Sequence, residues 1–575
     1  MFLNFLRITA DKEVIREIKF IKGLNLIIDE TSSENDKETG NNVGKTTLLK
    51  LIDFCFGADQ KAIYVDPESK KQEYTLVKNF LREKKILITL QLIENLEDAK
   101  SSTITLERNF ASRNKIIRKI NGKDYSEDEY SLKLKELLFP DHLAPKPTLR
   151  QIISHNIRYK EDAINNTLKT LDRYTTDVEY ETLYLFLLGC NFIRGNEKQE
   201  IISKLKIEND FKSRLENNQS RITYETALSI INKDIEYLNE RKKSFNLNLK
   251  FEVELDKLNE TKSSIAKLSN QLSNMNIRKR LIEEAEKDLK ANYSQADTKQ
   301  LFQIYQQATD QVSKLHKTFE ELLVYHNNMI LEKIKFLKKD LPKLESDISN
   351  LRVKLSSLLK YEQELSDSIV KSESFDKFES ILIELNEKFR KKGEYETTIS
   401  QLISVEVNID NLNKQLAEID EELFSDSFEA TVKSQKDKFN VFFTAVSRFV
   451  YGEEYALTYK KEINKKGQRI YKFTSFNTNL SSGKKQGEIS CFDIAYILFA
   501  REENIPSLQF LLNDKKELMH DNQLNKIADF ANLKNIQFVA SILKDKLPIE
   551  LNNDDNIIIK LSPTEKLFKI ESFSL

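Results

Sequence analysis

The run Gly40-Asn41-Asn42-Val43-Gly44-Lys45-Thr46-Thr47 constrains this chain more than any other stretch. It follows an apolar segment, Leu24-Asn25-Leu26-Ile27-Ile28, and precedes a helix-like one, Leu48-Leu49-Lys50-Leu51-Ile52. A strand, a glycine-bearing loop, Gly-Lys-Thr and a helix, in that order, predict a phosphate-binding loop. Successive backbone N–H groups and a helix N-terminus there present partial positive charge to an anion. In such a loop Lys45 reaches the β- and γ-phosphates of ATP and Thr46 holds Mg²⁺ through its hydroxyl. Asn41, Asn42, Val43, Gly44 and Thr47 complete the expected ATP-binding set. One position departs from the pattern: where a glycine is expected ahead of Gly44, the residue is Thr39.

A chain of 575 residues is too long for one ordinary core, so two or more structural units are expected. Lys and Arg number 90 against 91 Asp and Glu, so no global basic excess points to nucleic acid, and any such site must be a local patch. Charged residues make up 31%, with only 12 glycines, 8 prolines and no tryptophan, a balance that favours long solvated helices. Cys55, Cys190 and Cys491 lie far apart, which argues against a disulfide framework and against a cysteine zinc site. The start of the chain, Met1–Arg7, alternates like a strand and has no leader pattern, and no apolar run is long enough to span a membrane. A soluble, cytoplasmic protein with no membrane partner is the expectation.

Periodicity supplies the next constraint. From 196 to 290 there is neither proline nor glycine, and Phe251, Leu258, Ile265 and Leu272 recur at heptad spacing, with Leu268, Met275 and Ile282 on the partner position. A second such stretch, 328–424, carries Leu337, Leu341, Leu344, Ile348, Leu351, Leu355, Leu358 and Leu365, then Ile409, Leu412, Leu416, Ile419 and Leu423. Ser372–Ser374 and Gly393 mark a weaker region between them, and Pro342 should kink the second stretch. The two arms are nearly equal. They predict one antiparallel coiled coil with an ascending arm over 196–290, a helical tip over 291–327 and a descending arm over 328–424. Each arm would reach roughly 140 Å. An ordinary helical bundle is the alternative.

The ends of the chain, 1–195 and 425–575, read as α/β. Strands are expected near Ile86–Leu90 and at Thr103–Arg108, with a hairpin turning at Asn121-Gly122. Beyond 425, hairpins are followed by a helix (Glu488–Arg501), a strand (Leu508–Leu512), a helix (Asn522–Leu533) and a strand (Ile536–Ala540). Neither end has a complete sheet, so the two must meet: an α/β P-loop head split between the termini and joined by the coiled coil, a layout that resembles an ABC-type ATPase head.

This layout resembles that of the SMC and RecN-like ATPases, on Asn41–Thr46, Ile120-Asn121-Gly122-Lys123 and Leu480-Ser481-Ser482-Gly483-Lys484. The last of these is similar to the family's signature, with a serine for one glycine and a lysine at its end. The resemblance implies a dimer of two copies with ATP sandwiched between heads, where Ser481, Ser482 and Gly483 face the γ-phosphate held by the other head. It implies that Asp514, ending Leu508–Asp514, acts with Thr46 at the Mg²⁺ site, that Gln151 senses the magnesium-bound nucleotide, and that Asp521 lines the dimer interface. The family's water-polarising glutamate is here Lys515, and a lysine at neutral pH is no base unless strongly desolvated. Glu517 is the substitute the sequence offers. The family's switch histidine is absent, and Ser541 stands nearby. Slow or gated hydrolysis is therefore expected.

The short arms, the altered acidic motif and the tip segment Phe319–His326 resemble, more narrowly, the SMC-like subunit of Lamassu-type bacterial defence systems. That implies a sensor of double-stranded DNA, probing ends or unusual structures, which controls an effector nuclease together with a small accessory subunit. Basic residues concentrate in two places: Arg108, Arg113, Lys115, Arg118, Lys119 and Lys123, and then Lys460, Lys461, Lys465, Lys466 and Arg469. They are suited to phosphates rather than bases. Two further readings stay open: a DNA-repair or chromosome-organising ATPase of the RecN type, and a non-catalytic scaffold locked by nucleotide.

Overall fold

The computed structural model describes residues 1–31, 43–65, 73–98, 100–111, 115–172, 174–216, 219–243, 249–294, 338–369, 376–477, 485–514 and 521–570. Their contacts divide into two compact units, Met1–Glu197 with Asp420–Leu575, and Lys198–Asp297 with Met329–Ile419.

The first unit is built on two sheets. Strands β1 (Phe2–Ala10), β2 (Glu13–Lys19), β4 (Leu87–Ile93), β5 (Thr103–Asn109), β6 (Arg118–Ile120) and β7 (Lys123–Asp124) form an antiparallel sheet in the order β2-β1-β4-β5-β6-β7. Its strands alternate, with Leu6, Ile8, Leu90 and Leu106 inside. The β6–β7 turn has Asn121 and Gly122 both at positive φ, 50° and 79°, as a two-residue hairpin requires.

The second sheet is parallel and draws on both ends of the chain. β3 (Leu24–Asp29) and β8 (Ile157–Arg158) join β11 (Phe510–Asn513), β12 (Gln537–Leu543) and β13 (Ile557–Leu561) in the order β13-β3-β12-β11-β8. Every residue of β3 is buried, as expected of a central parallel strand covered on both faces. Gln537 ties the two sheets: its side-chain oxygen accepts from the Leu3 N–H at 2.7 Å and its amide donates to the Leu3 carbonyl at 2.8 Å. This occurs where the β1 register slips. A separate two-stranded ribbon, β9 (Tyr455–Ile463) with β10 (Arg469–Asn477), packs on the helix Asp426–Tyr451.

The second unit is helical, and its path differs from one out-and-back coil. The stretch 196–290 is not a single helix. Arg221–Lys243 and Leu249–Ser294 are separate, and Lys242 Nζ lies 2.6 Å from Asp256 Oδ1. Fourteen residues along one helix would span about 21 Å, so the chain reverses between them. Leu249–Ser294 then runs antiparallel to Leu341–Ile369, as the pairs Lys262–Glu362, Lys279–Glu345 and Glu286–Lys338 show. Asp376–Leu423 runs antiparallel to Arg221–Lys243 through Lys388–Asp234 and Arg221–Glu406. One apolar layer joins Ile231, Ile235 and Leu238 to Ile381 and Leu385; another joins Phe211, Leu215, Tyr224 and Leu281 to Leu402 and Val405. The described residues thus form an antiparallel bundle. A heptad stripe says which face of a helix is apolar, not how many partners share it, and that is why the pattern fitted both architectures.

Three local expectations change accordingly. Pro342 does not kink a helix; it lies in the first turn of Leu341–Ile369, where its missing N–H costs nothing. Gly393 is not a break but lies inside Asp376–Leu423, where an added Cβ would stand 2.8 Å from the Ser263 carbonyl oxygen and 2.9 Å from Ala266 Cβ. Ser372–Ser374 lie outside the described residues, as does the expected tip, 291–327, apart from the end of the helix Leu249–Ser294.

Candidate nucleotide site

The site lies at the carboxyl ends of β3, β12 and β11, the usual ligand-binding edge of an open parallel sheet. The helix Lys45–Cys55 starts there. Its N-cap is Gly44, at φ 104°, with no side chain capping the first turn and no acid in it. That turn presents the positive end of the helix to the loop, the arrangement that suits an anion. Gly44 cannot be replaced cheaply, since its φ is left-handed and an added Cβ would lie 2.7 Å from Leu567 Cβ. The Leu567 N–H donates to the Val43 carbonyl at 3.1 Å, so a C-terminal residue holds the loop. Thr47 is half-buried beside these residues. Asn41 and Asn42 lie outside the described residues.

Lys45 and Thr46 each meet an acid from a strand end. Lys45 Nζ is 3.1 Å from Asp29 Oδ2, at the end of β3. Thr46 donates its hydroxyl to Asp514 Oδ2 at 2.9 Å, and Ser541, on β12, donates its hydroxyl to Asp514 Oδ1. Asp514, just past β11, is buried, as is Thr46. Hydroxyl and carboxylate oxygens side by side suit a hard cation such as Mg²⁺, which takes one or two protein ligands and completes its shell with phosphates and water. Among the described residues no cluster of three or more His, Cys, Asp or Glu could hold a metal on its own.

Gln151, expected to sense the magnesium-bound nucleotide, closes a helix cap. It is buried, and its side-chain oxygen accepts from the Thr148 N–H at 2.8 Å while Thr148 Oγ1 accepts from the Gln151 N–H, a capping box on the short helix Leu149–Ile152. Its neighbour Arg150 pairs with Asp53, on the helix Lys45–Cys55, through a 2.8 Å contact and a second, shorter one; Tyr159 also donates to Asp53. Burial alone would push Asp53 upward, but the charge and hydrogen bonds of Arg150, with Lys160 and Tyr159, hold its carboxyl below the ordinary value.

Beside this lies a buried ionic knot that no sequence signal marked. Arg158, on β8, donates to Asp493 Oδ2 at 2.5 Å and Oδ1 at 2.6 Å, and to the carbonyls of Ala163, Asn166 and Thr167. Asp493 belongs to the helix Lys485–Glu502. His155, 3.1 Å from Arg158, is kept below its ordinary pKa chiefly by burial, against the pull of Asp493. At the start of the same helix, Glu488 accepts from Thr167 Oγ1 at 2.5 Å and from Ser475. Ser481, Ser482 and Gly483 lie outside the described residues, as do Lys515 and Glu517; Asp521 begins the helix Asp521–Leu533.

The basic clusters thin out in three dimensions. Arg108 is buried, donates to the Ala58 carbonyl at 2.9 Å and stacks on Phe54, so it secures the end of the helix Lys45–Cys55 and is not a surface charge. Arg118 pairs with Glu127 and Lys119 with Asp124, Lys123 lies over the Tyr125 ring, and Lys115 is exposed. Arg113 lies outside the described residues. On the ribbon, Lys461 pairs with Glu429 and Arg469 stacks on Phe424, while Lys460 and the turn residues Lys465 and Lys466 face solvent.

Residues 446–572 match a family model described as an uncharacterised protein conserved in bacteria, DUF2326. No curated protein matches the chain. Among solved structures, the chain is similar to the Smc head domain with a coiled coil and joint from Pyrococcus yayanosii, at 13% identity over 96% of this chain and 94% of that one, TM-score 0.35. It is also similar to the Smc head domain with an extended coiled coil bound to the C-terminal domain of ScpA from Pyrococcus furiosus, at 11% identity, covering 95% and 90%, TM-score 0.30. The recombination mediator protein RecF with ATP is similar at 10% identity, covering 94% and 91%, TM-score 0.29. No described helix is long and apolar enough to cross a membrane.

Proposed function

We propose that this chain is an ATP-binding protein of the SMC and RecF kind, with an ABC-type head made from residues 1–195 and 425–575. The observation that carries the reading is the hydrogen bond from Thr46 to Asp514, residues 468 positions apart in sequence. A phosphate-loop hydroxyl is there joined to an acid at the end of β11, two strands from β3 in the same parallel sheet. ATP would lie along the uncapped start of the helix Lys45–Cys55, with Lys45 on its β- and γ-phosphates. Thr46 and Asp514 would hold Mg²⁺, whose charge offsets that of the phosphates.

Two copies would pair through their heads, with Ser481–Gly483 of one facing the nucleotide of the other. Lys115, Lys465 and Lys466 would touch the phosphates of double-stranded DNA. The nucleotide state would control an effector nuclease, with a small accessory subunit, in a bacterial defence complex. The resemblance of sequence supports this last part.

The test is ATP binding and turnover by the purified chain, alone and with linear or circular double-stranded DNA. Lys45→Ala should abolish nucleotide binding, and Asp514→Ala should abolish its magnesium dependence. Unchanged ATP affinity in Lys45→Ala would sink the assignment of the site.

A further inference from the structure

Hydrolysis of ATP needs a group that takes a proton from the attacking water. The described part of the site offers few. Both oxygens of Asp514 are engaged, one by Thr46 and the other by Ser541. Glu30 pairs with Lys544 at 3.0 Å. Asp29 is different. Its side chain is fully buried at the end of β3. Oδ1 is fixed by the Thr31 N–H at 2.9 Å and the Thr31 hydroxyl at 2.5 Å. Oδ2 makes no hydrogen bond of good geometry and faces Lys45 Nζ at 3.1 Å.

That arrangement has a consequence once nucleotide binds. Lys45 is the group that reaches the β- and γ-phosphates, so ATP draws its ammonium away from Asp29. Oδ2 then loses its partner, while Oδ1 stays held by Thr31. The carboxylate is left oriented and desolvated beside the start of the helix Lys45–Cys55, where a water held on Oδ2 would stand between it and the γ-phosphate, the reach a general base requires. An unpaired buried carboxylate is costly, and a water donating to Oδ2 relieves that cost.

Resting on the ATP-site reading above, we propose that Asp29 is the base for hydrolysis at this site. The water oxygen forms a bond to the γ-phosphorus as its proton passes to Asp29 Oδ2. The bond from the γ-phosphorus to the bridging oxygen breaks, and its electron pair leaves with ADP. Inorganic phosphate departs, and Asp29 releases the proton to solvent. In the nucleotide-free chain the same carboxylate serves as the counter-anion of Lys45.

The experiment compares wild type, Asp29→Asn, Asp29→Glu and Lys45→Ala as full-length chains. It measures affinity for ATP by titration, turnover with and without linear double-stranded DNA, and folding by thermal melting. Asp29→Asn should bind ATP as tightly as wild type or more tightly, because Lys45 no longer has to leave an anion. Its turnover should fall at least 100-fold, and Asp29→Glu should recover part of it. If Asp29→Asn does not fold, Asp29→Glu decides: a folded, ATP-binding variant with unaltered turnover overturns the proposal. So does Asp29→Asn turning over ATP at the wild-type rate, or a wild type that binds ATP but never hydrolyses it. Equal ATP binding by wild type and Lys45→Ala would instead remove the nucleotide site itself.

Discussion

Replacing Arg158 by methionine tests the buried knot that ties the two ends of the chain together. Arg158 and Asp493 have side chains only 2% and 1% exposed. The guanidinium satisfies both carboxylate oxygens and three backbone carbonyls. Methionine fills much of the volume but donates nothing. Asp493 then loses its cationic partner and is left buried beside the His155 ring. Removing one partner of such a pair costs about 3–5 kcal/mol. At roughly 2 °C for each kcal/mol in a unit of this size, the melting temperature should fall by roughly 6–10 °C. The assay is thermal unfolding followed by circular dichroism, for Arg158→Met and for Arg158→Met/Asp493→Leu. The double variant removes the stranded charge and should melt well above the single one. A single variant melting within about 2 °C of wild type would refute the reasoning. A double variant as unstable as the single would show that the lost carbonyl partners, not the charge, set the cost.

Three further outcomes follow from the same geometry. Asp53 is held below its ordinary value, so its contribution is full above the unfolded carboxylate range, about pH 4, and fades as pH falls through its lower folded value. Arg150→Ala removes the main opposing charge, so acid unfolding, monitored by fluorescence against pH, should move to higher pH. Gly393→Val should destabilise the helical unit by about 1–3 kcal/mol, because its Cβ would press on the Ser263 carbonyl; urea melts would read this. Gly44→Ala should weaken ATP binding at least as far as Lys45→Ala does, since both the backbone angle and Leu567 oppose a side chain there; nucleotide titration checks it.

Much of the head was readable from sequence because its signals are local. Gly-Lys-Thr after an apolar run predicts both a strand and a helix start, and Asn-Gly between two basic alternating segments predicts a hairpin. The resemblance of the apolar run ending in Asp514 to a metal-site strand likewise pointed to the acid that the structure brings to Thr46. Other features left weaker marks. Thr148 and Gln151 stand at capping-box spacing, which would have identified Gln151 as a cap. Asp29 ends the apolar run before the phosphate loop, but nothing in a single sequence shows that it will face Lys45. Arg158 and Asp493 are ordinary charged residues in sequence; only the fold, which sets the helix Lys485–Glu502 against β8, buries them together. The helical unit was hardest, because Phe251–Leu272 keeps the same apolar stripe whether the helix has one partner or three.

Strand β3 has one further implication, for synthesis. Its neighbours β12 and β13 are made last: Leu24 pairs with Phe538, and Leu3 binds Gln537 across 534 positions. At about 5–20 residues per second, a ribosome needs roughly half a minute to two minutes to cover that distance. Throughout it this strand, buried along its whole length in the folded chain, has no sheet to enter, and its backbone presents two unpaired edges. The helices between the ends can fold as they emerge, because their contacts are nearer in sequence. The nascent chain should therefore depend on holding chaperones for its first 200 or so residues, and a stalled or truncated product should aggregate through β3 rather than through its helices.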